Sequence, residues 1–198
     1  WYNKAVANGD VHALCDIGLM YRCRGKNSEA MKWLLKAAEQ GDTNAMYHIG
    51  DMYESGSGVK KDPSVAIQWF LKAAEQGDAD SQVRVGLMYS DGVGVTENNA
   101  EALKWYHKAA DQGNAVAQSC IGMMYYYGNG VPKDYSTAFK WYLKAAENGN
   151  DSDTFTVAEM YEKGQGVEKN IDKAVYWYKK GAEKNRNDCK EALKRLGY

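Results

Sequence analysis

The residues with the plainest capacity for chemistry are three histidines and four cysteines. His12, His48 and His107 are scattered, and no two share the spacing by which one helix face presents a pair of metal ligands. Cys15 lies three residues after His12, so a thiol–imidazole contact is within reach on a helix. Thiol catalysis also needs a group that orients the imidazole. One such pair among four cysteines and three histidines arises readily by chance. Cys15 and Cys23 share a predicted helix, where eight residues of rise separate them by roughly 12 Å, too far for a disulfide. Cys120 and Cys189 add no regular spacing. The four read as free thiols, which leans towards a reducing, cytoplasmic compartment. The chain opens on Trp1 rather than Met, so a leader removed in processing is compatible with it.

Other patterns lose their chemistry when placed on elements. Four Gly-x-Gly turns, at Gly56, Gly92, Gly128 and Gly164, suggest phosphate binding until their context is read. Each follows a helix, whereas a dinucleotide loop follows a strand. Met20, Met52, Met88, Met124 and Met160 recur in a core register and read as packing. Lys36, Lys72, Lys108, Lys144 and Lys180 recur on the outer side of a helix and read as a solvated column. Asn150-Asp151-Ser152 fits the N-glycosylation pattern, which matters only for a chain exported through a eukaryotic route. No acid, base and nucleophile converge, so the chain is expected to be non-catalytic, with no cofactor and no metal.

The elements that carry these residues repeat. Trp33, Trp69, Trp105, Trp141 and Trp177 are 36 residues apart, and Trp1 precedes Trp33 by 32. The spacing divides the chain into blocks 11–42, 43–78, 79–114, 115–150 and 151–186. Residues 1–10 are read as the tail of an earlier repeat and 187–198 as a polar capping helix. Each block holds two amphipathic segments, A and B. In the second block, Ala45, Ile49, Met52 and Tyr53 fall within an arc of about 100°. Ala66, Trp69, Phe70, Ala73 and Ala74 cluster within about 140° on segment B. The Gly-x-Gly turns end the A helices, and Asp62, Asn98, Asp134 and Asn170 stand where N-caps of the B helices belong. Gly41, Gly77, Gly113 and Gly149 close the B helices. Gly18, Gly50, Gly86 and Gly122 lie inside helix A, where glycine costs roughly 0.5–1 kcal/mol against alanine. Their recurrence predicts close approach by a neighbouring helix. Strand periodicity is absent.

The 198 residues are 26% charged and 44% hydrophobic, which suits a folded chain. The net charge of -1 gives no electrostatic case for nucleic acid. No apolar run approaches the length of a membrane span, so direct membrane insertion is not expected. A monomer is expected.

The segments "IGDMYESGSGVKKDPSVAIQWFLKAAEQGD", "VGLMYSDGVGVTENNAEALKWYHKAADQGN" and "IGMMYYYGNGVPKDYSTAFKWYLKAAENGN" resemble the SEL-one-like repeat, an offshoot of the tetratricopeptide repeats. The resemblance runs over the whole chain. Departures are the shortened loop after Cys23, Ala158 in place of the helix-A glycine, and Gly181 for the first alanine of the last "KAA". It implies an all-α fold, a right-handed α/α superhelical solenoid whose concave face is lined by the A helices. It also implies a scaffold or adaptor that binds a protein or peptide. A cysteine-rich branch of the family is linked to penicillin binding, but its paired cysteines are missing. A β-lactam-type binder or weak hydrolase is therefore an alternative, as is a dedicated inhibitor or immunity protein with one tight partner.

In a repeat chain, function should sit where the copies differ. Opposite the core stripe of helix A stand Tyr47, Asp51 and Glu54. Their counterparts are Cys15, Leu19 and Arg22; Val83, Leu87 and Ser90; Ser119, Met123 and Tyr126; and Phe155, Glu159 and Glu162. These positions either fill contacts between successive A helices or line a groove for a peptide or partner helix. In the groove reading, Tyr126, Tyr127 and Phe155 are aromatic anchors. Asp51, Glu54, Glu159 and Glu162 form an acidic rim that favours a basic or amphipathic ligand.

Overall fold

The computed structural model describes residues 11–198. The expected tail of an earlier repeat, 1–10 with Trp1, lies outside the described residues. Eleven helices and no strand occur among the described residues, an all-α repeat solenoid as the periodicity requires. The chain divides into two compact units, Trp1–Asn98 and Asn99–Tyr198. The first holds α1 (Val11–Cys23), α2 (Asn27–Glu39), α3 (Thr43–Ser55), α4 (Pro63–Glu75) and α5 (Ala79–Asp91). The second holds α6 (Asn99–Asp111), α7 (Ala115–Tyr127), α8 (Tyr135–Glu147), α9 (Asp153–Lys163), α10 (Ile171–Glu183) and α11 (Asn187–Leu196). Odd-numbered helices are the A segments and even-numbered ones the B segments.

Within each unit every helix packs on its chain neighbours. The ends are set by the expected residues. Asp62 and Asp134 each accept two backbone N–H groups at the starts of α4 and α8, and Asn170 accepts that of Lys173 on α10. Asn98 immediately precedes α6. A second set of caps went unread: Asp42, Asp78 and Asn114, directly after the closing glycines, accept the N–H groups of Ala45, Ser81 and Ala117. Gly56, Gly92, Gly128 and Gly164 end α3, α5, α7 and α9 in the left-handed region, with φ of 79°, 67°, 82° and 69°.

The glycines inside the A helices mark where large side chains seat. A Cβ on Gly50 would stand 2.8 Å from the Phe70 ring, and one on Gly122 would stand 2.9 Å from Tyr142. Gly18 faces Leu34 in the same way. Each partner directly follows the tryptophan of its own repeat. Gly181 also has a steric reason: a side chain there would collide with Cys189 of α11 and Thr154 of α9. Phe70, Leu34 and Tyr178 are fully buried. The second glycine of each turn, at 58, 94, 130 and 166, abuts the first residues of the preceding repeat's B helix, at Asn27, Pro63, Asn99 and Tyr135.

Trp105 and Trp177 are buried; Trp33, Trp69 and Trp141 are half-buried. Each carries over its ring the ammonium of the lysine three residues on, from 3.7 Å for Lys108 to 5.2 Å for Lys144. Lys36, Lys72 and Lys180 do likewise. The lysine column therefore caps the tryptophans through cation–π contacts as well as facing solvent. Met52, Met88, Met124 and Met160 are core residues, whereas Met20 is exposed.

Candidate protein-binding cleft

The variable positions of helix A are largely spent on contacts between successive A helices. In the first unit Arg22, in the last turn of α1, pairs with Asp51 of α3 and donates to His48 Nδ1 at 3.3 Å. Burial and the adjacent guanidinium hold the His48 imidazole below its usual range. Glu54 of α3 pairs with Arg84 of α5. Tyr47 is half-buried, edge-on to both His48 and Phe70. Leu19 packs against the core of this unit, and Val83 is buried with no surface to offer a ligand. Leu87 and Glu54 border a small depression of about 90 Å³.

Near the start of α1, His12 meets Asp42 at 3.0 Å. Cys15 accepts from Asn44 at 3.5 Å and is buried. Burial, with Asp42 and Asp16 nearby, pushes its thiol up to about 12, far from a thiolate at neutral pH. No disulfide joins the four cysteines, and only Cys23 is exposed.

In the second unit Ser119 of α7 donates to Asp153 of α9 at 3.0 Å. Asp153 stands where the other repeats have Ala45, Ser81 and Ala117. It is buried, its second oxygen has no partner, and burial pushes its carboxyl up to about 6 against the pull of Ser119 and Arg186. Tyr126 is the hub of an aromatic cluster, edge-on to Tyr127 and Tyr135 at 5.0 Å and to Tyr142 at 6.3 Å. Its hydroxyl donates to Gln165 at 3.3 Å. Tyr127 and Met123 are exposed, with Val116 on the same stripe of α7.

The structure gathers Phe155, Glu159 and Glu162 around one cleft of about 440 Å³ between α9, α10 and α11. Phe155 and Tyr178 supply aromatic surface, their rings 5.6 Å apart. Arg195 of α11 forks onto Glu162, and the Tyr178 hydroxyl donates to the same carboxylate at 2.8 Å. Glu159 pairs with Lys163 at 2.6 Å. From α11, Asp188, Glu191 and Ala192 complete the wall. Asp188 is held by Arg186.

The carboxylates of the expected acidic rim have partners within the chain. Asp51, Glu54, Glu159 and Glu162 each face a cation of this chain, because an A helix one repeat away brings it there or, for Glu159, the next helical turn does. Lys163, Tyr178, Asp188, Glu191, Ala192 and Arg195 were missed as cleft residues. For the last four the signal lay in α11, where they form one i, i+3, i+4, i+7 face. Among the described residues no three His, Cys, Asp or Glu side chains gather as a metal site needs, and no helix is long and apolar enough to cross a membrane.

Comparison with known proteins follows the same repeat. The Sel1 repeat model matches residues 11–42, 43–78, 79–114, 115–150 and 156–185. Among curated proteins nothing matches. Among solved structures, a Sel1 repeat protein from Oxalobacter formigenes is 38% identical, over 88% of this chain and 72% of its own, with a TM-score of 0.82. A protective antigen with an SLR fold, present in uropathogenic Escherichia coli strains, is also 38% identical. That match covers 92% of this chain and 40% of the antigen, with a TM-score of 0.86. An immunity protein from Pseudomonas aeruginosa is 26% identical over 92% of this chain and 72% of its own, with a TM-score of 0.63. With five tandem matches in the register of its tryptophans, the chain belongs to the Sel1 repeat family.

Proposed function

We propose that the chain is a non-catalytic scaffold that binds a protein or peptide on the solvent side of its A helices. The observation that carries this reading is the cleft of about 440 Å³ at α9, α10 and α11. It falls in the size range of ligand-binding pockets and combines an aromatic floor with charged walls. The exposed stripe of Val116, Met123 and Tyr127 on α7 adds a second patch of the kind partners cover. A non-catalytic role accords with a Cys15 thiol held protonated and with Glu159 and Glu162 tied to cations. An amphipathic ligand suits the mixture of aromatic floor and charged wall.

The test is retention of proteins from the native source on immobilised wild type and on a Tyr127→Ser, Phe155→Ala double variant. Tyr127 is the better probe than Tyr126, whose ring packs on buried Tyr142. A partner held by wild type and lost by a variant with unchanged circular dichroism supports the reading. An identical retained set overturns it. Similarity to an immunity protein favours a second reading, a dedicated inhibitor that uses the same surface. One partner held at nanomolar affinity, rather than several held weakly, separates the two.

A further inference from the structure

We propose that the cleft between α9, α10 and α11 receives an arginine or lysine side chain of the partner, its aliphatic stem on Phe155 and Ala192 and its cation between Glu159 and Glu191. This names the ligand chemistry of the scaffold reading and rests on it. The cleft is lined by four carboxylates and two cations, and both cations are already engaged inside it. The carboxylates differ in what they can still do. Glu162 is saturated by the Arg195 fork and the Tyr178 hydroxyl, and Asp188 by Arg186. Glu191 is exposed and has no ion pair among the described residues. Glu159 holds only Lys163 on its own helix, a pair between solvated side chains that exchanges at little cost.

Charge is also sorted across α11. Asp188, Glu191 and Arg195 face the cleft, Arg195 with its charge spent on Glu162, while Lys190 falls on the opposite side of the helix. A cation approaching the cleft along α11 therefore meets in Glu191 a carboxylate whose charge no ion pair among the described residues has taken. The aromatic floor favours a cation on an apolar stem over a bare ion, because ring faces attract ammonium and guanidinium groups and also bury methylenes. Arginine is the better fit of the two, since its planar fork can bridge two carboxylates.

Fluorescence anisotropy with a labelled five-residue peptide alternating leucine and arginine tests this. The comparison probe carries glutamate in place of arginine. Wild type should bind the arginine peptide at least about tenfold tighter, and Glu191→Lys should remove about tenfold of that affinity. Circular dichroism confirms the fold, which Glu191 does not support. Lys190→Glu alters the same helix by an equal charge on its outer side and should leave affinity within about twofold. Equal binding of both peptides, or unchanged binding by Glu191→Lys, overturns the inference. So does a Lys190→Glu variant that gains as much as Glu191→Lys loses, because binding then follows total charge. If the arginine peptide fails while the double variant still loses a native partner, the scaffold stands and the arginine site falls. If neither binds, the scaffold falls as well.

Discussion

Arg195 reaches across from α11 and closes on the Glu162 carboxylate of α9 through two bonds, of 2.7 and 2.8 Å. The hydroxyl of buried Tyr178 donates to that carboxylate from α10. One acid thus ties three successive helices. The Arg195 bonds hold Glu162 below the usual glutamate range, against the opposing effect of burial.

Glu162→Ala should therefore lower the stability of the fold by about 1–3 kcal/mol at neutral pH, chiefly by leaving the Tyr178 hydroxyl without an acceptor. A carboxyl with a lowered folded value contributes stability that is full above its unfolded value and fades as pH falls through the folded one. The gap between wild type and variant should therefore narrow below about pH 4. Urea midpoints at pH 7 and pH 3.5 measure both effects.

Asp153 should show the opposite sign. Its folded value of about 6 lies above the ordinary 3.8, so its ionised form weakens the fold and its protonated form does not. The wild type should gain stability from this group as pH falls from 7 towards 4. Asp153→Ala restores the residue found at Ala45 and Ala117. It should stabilise by roughly 1–3 kcal/mol at pH 8, with the advantage gone near pH 4. A variant less stable than wild type at pH 8 would show the Ser119 bond to outweigh the buried charge.

Gly50→Ala should destabilise although alanine is the better helix former. Intrinsic propensity favours it by roughly 0.5–1 kcal/mol. Its methyl, however, would press on Phe70 at 2.8 Å in a filled core, which costs about 1–3 kcal/mol. In a Phe70→Leu background the same change should cost less. Thermal melts of the four proteins give the coupling directly.

The thiols should divide by burial. Cys23 should react with a maleimide in the folded protein, whereas Cys15, Cys120 and Cys189 should label only on unfolding. Mass spectrometry after timed quenching counts the modified sites. Rapid labelling of Cys15 would contradict its raised value.

The fold was legible because its rules are local and repeated. The tryptophan spacing gives the repeat, and the mid-helix glycines Gly50, Gly18 and Gly122 foretell large neighbours, here Phe70, Leu34 and Tyr142. The caps Asp42, Asp78 and Asn114 were equally legible, one residue past each closing glycine, but were not read. The lysines at i+3 from tryptophan carried a cation–π signal that reads as mere solvation when helix faces are only inside or outside. The charged positions of the expected groove were harder. Asp51 and Glu54 find their cations 29 and 30 residues away, about one repeat along, where only stacking brings them together. The Phe155 cleft is half-legible: Phe155, Glu159 and Glu162 of its α9 wall are expected positions, while α11, expected as a polar capping helix, is not expected to supply a wall.

The short first repeat has a consequence for what the chain can tolerate. Elsewhere the second glycine of each turn is clamped against the preceding B helix, so those loops cannot change length without unseating a neighbour. Between α1 and α2 the Gly-x-Gly turn is missing; residues 24–26 are exposed, and among the described residues a Cβ on Gly25 would touch nothing within 4 Å. That bend is the natural splice point of the first unit: an epitope, a fluorophore tag or a fused domain inserted at Gly25 should ride on the array without unzipping it.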